Sequence, residues 1–215
     1  MHGDGALARS VVFVLQSELT ARVDGELRQS LIKLDAALTG RGLTVTKYFA
    51  GMFLVSKVSQ IEQYFVDVVR VISTHYPKKL GSNSFKLADV LESTTEELVA
   101  RAAEQYINNV MYKKPSEYQK DLAEFLSIDA DAIGDKWLPF IEMKLCRDLG
   151  IHNEWVVNDT YLRKLREAKI PSSLKVGETV CPDIDSLMTI FSQGCELVNA
   201  ISAELERAYK PAAGK

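Results

Sequence analysis

Three cysteines are all that this 215-residue chain contains, and Cys146, Cys181 and Cys195 form no C-x-x-C pair. An odd count without paired spacing suits three free thiols in a reducing compartment better than a disulfide framework, and it speaks against a structural zinc site. A membrane-spanning run is missing too, since the apolar stretch Val11 to Leu15 is far too short to cross a bilayer. The start, Met1-His2-Gly3-Asp4-Gly5, is small and acidic and does not read as a signal peptide. The expectation is a cytoplasmic protein with no membrane contact. Charge of one sign is also scarce: 26 basic residues against 29 acidic ones leave a net charge of −3. Non-specific nucleic-acid binders are usually basic overall, so any RNA this chain handles must meet a local positive site. No G-x-G-x-x-G, Walker loop, H-E-x-x-H or G-x-S-x-G occurs, and the chain shows no internal repeat and no stretch able to organise a sheet. No cofactor and no metal are expected.

What is present is helical periodicity. Over about 6–38, apolar residues recur every three to four positions from Val11 through Leu19, Leu27 and Leu34 to Leu38, which predicts a long helix. Gly25 can interrupt it, and Gly40 and Gly42 end it. Residues 49–72 are the most apolar region and predict a core helix, followed by a loop over 77–84. Lys78 and Lys79 in that loop are either solvated or set against phosphate. His75 at the helix end reads as a C-terminal cap rather than a ligand.

Thr94-Thr95-Glu96-Glu97 has the capping-box pattern and predicts a helix to about 112, and Pro115 suits the first turn of another to about 128. Residues 129–134 read as a turn. A helix over about 136–152 follows, and then one over 160–168 capped by Asn158 or Asp159. Residues 174–180 alternate around Gly177 as a short extended or hairpin piece, and Asp183 leads into a last helix to about 209. From Pro211 the chain reads as a loose tail. The class expected is all-α: one domain over 1–215, built from five to eight helices, with 1–41 as an N-terminal helix.

The stretch Arg147-Asp148-Leu149-Gly150-Ile151-His152-Asn153 puts a permanent cation, an acid and an imidazole within one and a half helical turns. On an ideal wheel Asp148 and His152 lie about 40° apart, whereas Arg147 and His152 diverge by about 140°. Arg147 meets the ligand of His152 only if the helix loosens at Gly150, if the ligand wraps the helix end, or if a second copy faces the first across a two-fold axis. The chemistry suits RNA cleavage without a metal. An imidazole can take the proton of a ribose 2′-hydroxyl or protonate the leaving 5′-oxygen, and an arginine fork can stabilise charge growing on the phosphate. Asp148 can orient the imidazole, and Asn153 can hydrogen-bond phosphate or ribose. Tyr161 can stack on a base or belong to the core, and the run Arg163-Lys164-Leu165-Arg166 can guide RNA or be a solvated face.

The run Glu142-Met143-Lys144-Leu145-Cys146-Arg147-Asp148-Leu149-Gly150-Ile151-His152-Asn153, followed by Val156-Val157-Asn158 and Tyr161-Leu162, resembles the HEPN superfamily. Its hallmark is Arg, a polar residue, three further residues and His at the end of a long helix, and the resemblance is closest to the branch associated with RiboL-PSP proteins. It covers about 42–209, with Ser59 to Phe65 resembling the family's apolar partner helix. It implies an HEPN-like helical bundle and a metal-independent endoribonuclease acting as a homodimer, in a toxin–antitoxin or antiviral defence setting with a possible antitoxin or defence protein as partner. By position, Arg147 and His152 are then catalytic, with Asp148, the polar residue beside the arginine, in the same catalytic set; Asn153, Lys144, Tyr161 and Arg163 are the candidate substrate-binding residues. Gly150 departs from the pattern, which more often has an aliphatic residue there. Two other readings use the same residues: a non-catalytic HEPN module that binds RNA or a protein, and a plain helical interaction domain in which His152 is structural.

Overall fold

The computed structural model describes residues 25–40, 44–81, 84–111 and 113–210. The expectations for His2, for the helix before residue 25, for Gly42, for residues 82 and 83 and for the tail from Pro211 fall outside these. The elements are α1 (Gly25–Thr39), α2 (Val45–His75), α3 (Leu87–Glu92), α4 (Thr95–Met111), α5 (Pro115–Leu126), α6 (Ala130–Ile133), α7 (Trp137–Asn153), α8 (Asp159–Glu167) and α9 (Ile184–Tyr209), with 3-10 turns at Pro77–Leu80 and Gly134–Lys136. The protein is all-α. The only pairing of extended backbone among the described residues is an antiparallel bridge between Val156 and Thr179, within the piece expected at 174–180.

Local chemistry sets most helix starts. Thr94 and Glu97 form the reciprocal capping box, the Thr94 amide donating to Glu97 Oε2 at 2.8 Å and the Glu97 amide to Thr94 Oγ1 at 3.2 Å. Asn158 and Asp183 cap α8 and α9 in the same sense, accepting from the amides of Tyr161 and Ser186. Two short helices depart from the expectation. The turn at 129–134 closes into α6 because Asp129 accepts from the Asp131 amide at 2.9 Å. The six-residue α3 buries none of its residues, so it offers no stripe to read.

α2, the longest helix at 31 residues, spans about 46 Å and carries the stripe Leu54, Val58, Ile61, Phe65, Val69 and Ile72. Three helices pack around it. α9 runs parallel, as shown by Lys57 beside Cys195, Tyr64 bonded to Ser202 at 2.8 Å and Tyr76 against Tyr209. α4 runs antiparallel, with Arg70 Nε donating to Glu104 Oε1 at 2.8 Å and the Val66 turn beside Val110 and Met111. α7 is antiparallel too, its start pressing Trp137 and Phe140 on Phe65 while its end approaches the start of α2. Phe65, Tyr118, Trp137 and Phe140 form one aromatic cluster with centroids between 5.6 and 6.4 Å apart, which joins α2, α5 and α7. Such tilted and edge-on rings add to the burial of their area.

The loop lysines separate. Lys79 donates to the Phe125 carbonyl at 2.9 Å and bonds the Ser127 hydroxyl, so it is half-buried and ties the loop to the end of α5, whereas Lys78 is exposed. His75 Nδ1 sits 2.9 Å from the Val71 carbonyl at the end of α2, as expected of a capping side chain.

Candidate functional site

The end of α7 is built around Trp155. Glu154 and Trp155 follow the helix in the left-handed region, with φ of 53° and 67°, and this turn folds the indole back under the helix it has just left. The ring lands between two glycines. A Cβ on Gly150 would stand 2.4 Å from Trp155 Cζ2, and one on Gly51 of α2 would stand 2.5 Å from the same atom. Gly150 therefore serves packing and does not loosen the helix, because α7 runs unbroken to Asn153. This removes one of the three routes by which Arg147 could have met the ligand of His152. The Trp155 carbonyl accepts from the Val180 amide at 2.8 Å, and the Val157 amide donates to the Glu178 carbonyl at 2.8 Å, so the 174–180 piece is strapped to the same turn.

Arg147 points toward α2. Its Nη2 donates to both oxygens of Glu62, at 2.9 and 2.8 Å, and Lys144 Nζ bonds the same carboxylate at Oε1. Arg147 Nε lies 3.0 Å from Asp148 Oδ1, close enough for an ion pair but not aligned for a hydrogen bond. The side chains of Glu62, Arg147 and Lys144 are 12, 15 and 17 % exposed, so they form a two-cation, one-carboxylate cluster largely withdrawn from water. In such a setting removal of one partner strands the others. Glu62 was missed as a site residue. The signal was present, since on the α2 wheel it lies only about 60° from the midline of the core stripe, at the half-buried edge.

Asp148 and His152 open on the other side. With Asn153 and Leu145 of α7 and Asn158, Thr160, Tyr161 and Lys164 around α8, they line a cleft of about 190 Å³. Arg147, Lys144 and Arg163 are not among its lining residues. His152 is exposed and Asp148 about one-third exposed. The Asn153 amide nitrogen donates to the Val156 carbonyl and so holds the Trp155 turn. Tyr161 packs at 5 % exposure as a core residue, with burial, then Cys146 and Glu142, raising its phenol pKa. Arg163 pairs with Glu167 at 2.8 Å along α8. Of the expected set, then, Asp148, His152, Asn153 and Tyr161 are brought together, while Lys144 and Arg147 turn to Glu62 and Arg163 turns outward. The lysine in the cleft is Lys164.

No family model, no curated protein and no solved structure matches the chain. Among the described residues no helix is long and apolar enough to cross a membrane.

Proposed function

We propose that the protein is a metal-independent endoribonuclease of the HEPN type, belonging to a toxin–antitoxin or antiviral defence system. The observation that carries this is the cleft in which an exposed His152 stands beside Asp148, Asn153 and Lys164. That set offers an acid–base imidazole, an orienting carboxylate, an amide and a cation on one face. His152 takes the 2′-hydroxyl proton or protonates the leaving oxygen, and Asp148 orients its ring. Arg147 cannot serve its own cleft from the Glu62 side of α7. In this reading it reaches phosphate on leaving Glu62, either where the ligand wraps the helix end or from a second copy related by a two-fold axis, and the homodimer is part of the proposal.

The test is cleavage of single-stranded RNA in EDTA, with the ends identified as a 2′,3′-cyclic phosphate and a 5′-hydroxyl. His152→Ala is expected to lose cleavage with an unchanged melting temperature, because the side chain is exposed. Arg147→Ala is expected to lose cleavage and also about 1–3 kcal/mol of stability, since Glu62 keeps only Lys144 as a partner. Full cleavage by the His152 variant refutes the reading. The engagement of Arg147 by Glu62 favours a second one, a non-catalytic HEPN module that binds RNA or a protein partner. It predicts RNA or partner binding without turnover in the same assay.

A further inference from the structure

We propose that the cleft between α7 and α8 binds one phosphate of a single-stranded RNA, and that Lys164 is the cation that holds it beside His152. The identity of the ligand rests on the ribonuclease reading, while the anion site rests on the geometry alone.

Three observations converge. First, the basic run on α8 divides by direction. Arg163 is held by Glu167 at 2.8 Å and Arg166 Nε donates to the Leu162 carbonyl at 3.3 Å, whereas Lys164 lines the cleft with His152. Lys164 is half-buried and has no acidic partner among the described residues. Second, the one acid in the cleft is already met from behind, because Asp148 Oδ1 lies 3.0 Å from Arg147 Nε. Third, the two cations of α7, Lys144 and Arg147, are committed to Glu62 on its far side.

Among the described residues the uncompensated charge of the cleft is therefore that of Lys164. A cation drawn partly out of water without a counter-ion attracts an oxyanion more strongly than one on an open surface, and an ammonium binds phosphate as a point charge. His152, the amides of Asn153 and Asn158 and the Thr160 hydroxyl add neutral or ionisable groups around the same space. The size limits what enters. A space of about 190 Å³ equals roughly six waters at ~30 Å³ each, room for a phosphate and part of a ribose but below the ~300 Å³ at which ligand pockets start. The bases then lie outside, and the site reads backbone rather than sequence.

The experiment uses the full chain and a 2′-O-methylated oligonucleotide, which has no 2′-hydroxyl to attack its own phosphate. Binding is measured by fluorescence anisotropy over a salt series. Lys164→Met is expected to weaken binding about tenfold and to make the log–log salt slope shallower by about 0.7, the value for one phosphate contact on a single strand. Lys164→Arg is expected to restore both, and Lys120→Met on the exposed side of α5 to change neither. In the unsubstituted protein the oligonucleotide is expected to shift the ring resonances of His152 and leave those of His75 in place. Unchanged affinity and slope in Lys164→Met overturn the proposal, as does a ligand that leaves His152 unmoved. Cleavage of unmodified RNA is followed in parallel. Cutting that proceeds with no Lys164 contribution to binding overturns this site and leaves the ribonuclease reading standing, whereas Lys164-dependent binding without cutting does the reverse.

Discussion

Gly150 shows how one residue's role depends on a neighbour that the sequence does not place. Read along the chain it is a departure from the HEPN pattern and a weak point in a helix, yet in the fold it is the seat of an indole, matched by Gly51 on the facing helix. Gly150→Ala is expected to lower stability by about 1–3 kcal/mol through overpacking, seen as a lower urea midpoint. The loss should largely vanish in a Trp155→Ala background, because the clash partner is gone. Wild-type stability of the single variant would refute this account of the site. The wheel was informative on a narrower point. It put Asp148 and His152 on one side and Arg147 on another, and the cleft keeps that division. It could not supply the partner of Arg147, because Glu62 is 85 residues away in sequence.

At the scale of the element, α8 decides what faces His152. It is nine residues long and strongly amphipathic, with Tyr161 and Leu165 buried, and the rotation this imposes turns Lys164 inward and Arg163 outward. Its first turn depends on the Asn158 side chain, which accepts from the Tyr161 amide at 2.8 Å. Asn158→Ala is expected to cost about 1 kcal/mol and to raise amide hydrogen exchange across the first turn of α8 more than in α7. Uniform exchange in the two helices would argue against the cap as the anchor. The caps at Thr94 and Asn158 were legible in advance because they are contacts between residues three apart, Thr94 with Glu97 and Asn158 with Tyr161. α3 and α6 were not, since a helix of four or six residues has too few turns to display a period.

At the scale of the whole molecule, the 174–183 strap joins α2 to α7, the helix that carries His152. Cys181 donates its thiol to the Lys47 carbonyl at 3.0 Å near the start of α2, and Cys146 of α7 lies beside the Val180 carbonyl. Burial pushes the Cys181 thiol up to about 11, and it pushes Cys146 up to about 12, with Cys181 itself adding to the rise. Both thiols therefore keep their protons in the folded chain while the unfolded chain loses them near ~8.5. The unfolded state binds fewer protons across that window, so stability present below about pH 8.5 is lost as pH rises toward 11 to 12. The urea midpoint is expected to fall between pH 9 and 10, and to fall less steeply in Cys146→Ala/Cys181→Ala. Equal slopes in that interval would show that the strap thiols are not responsible.

The all-α class, the core stripe of α2 and the caps of α4 and α8 were readable because they rest on periodicity and on bonds between residues three or four apart. Which face of α7 meets Glu62, which cation of α8 turns to His152 and why Gly150 is a glycine could not be read that way. Those outcomes come from residues far apart in the chain competing for the same buried space and the same carboxylate, and only packing three helices against one another resolves such competition.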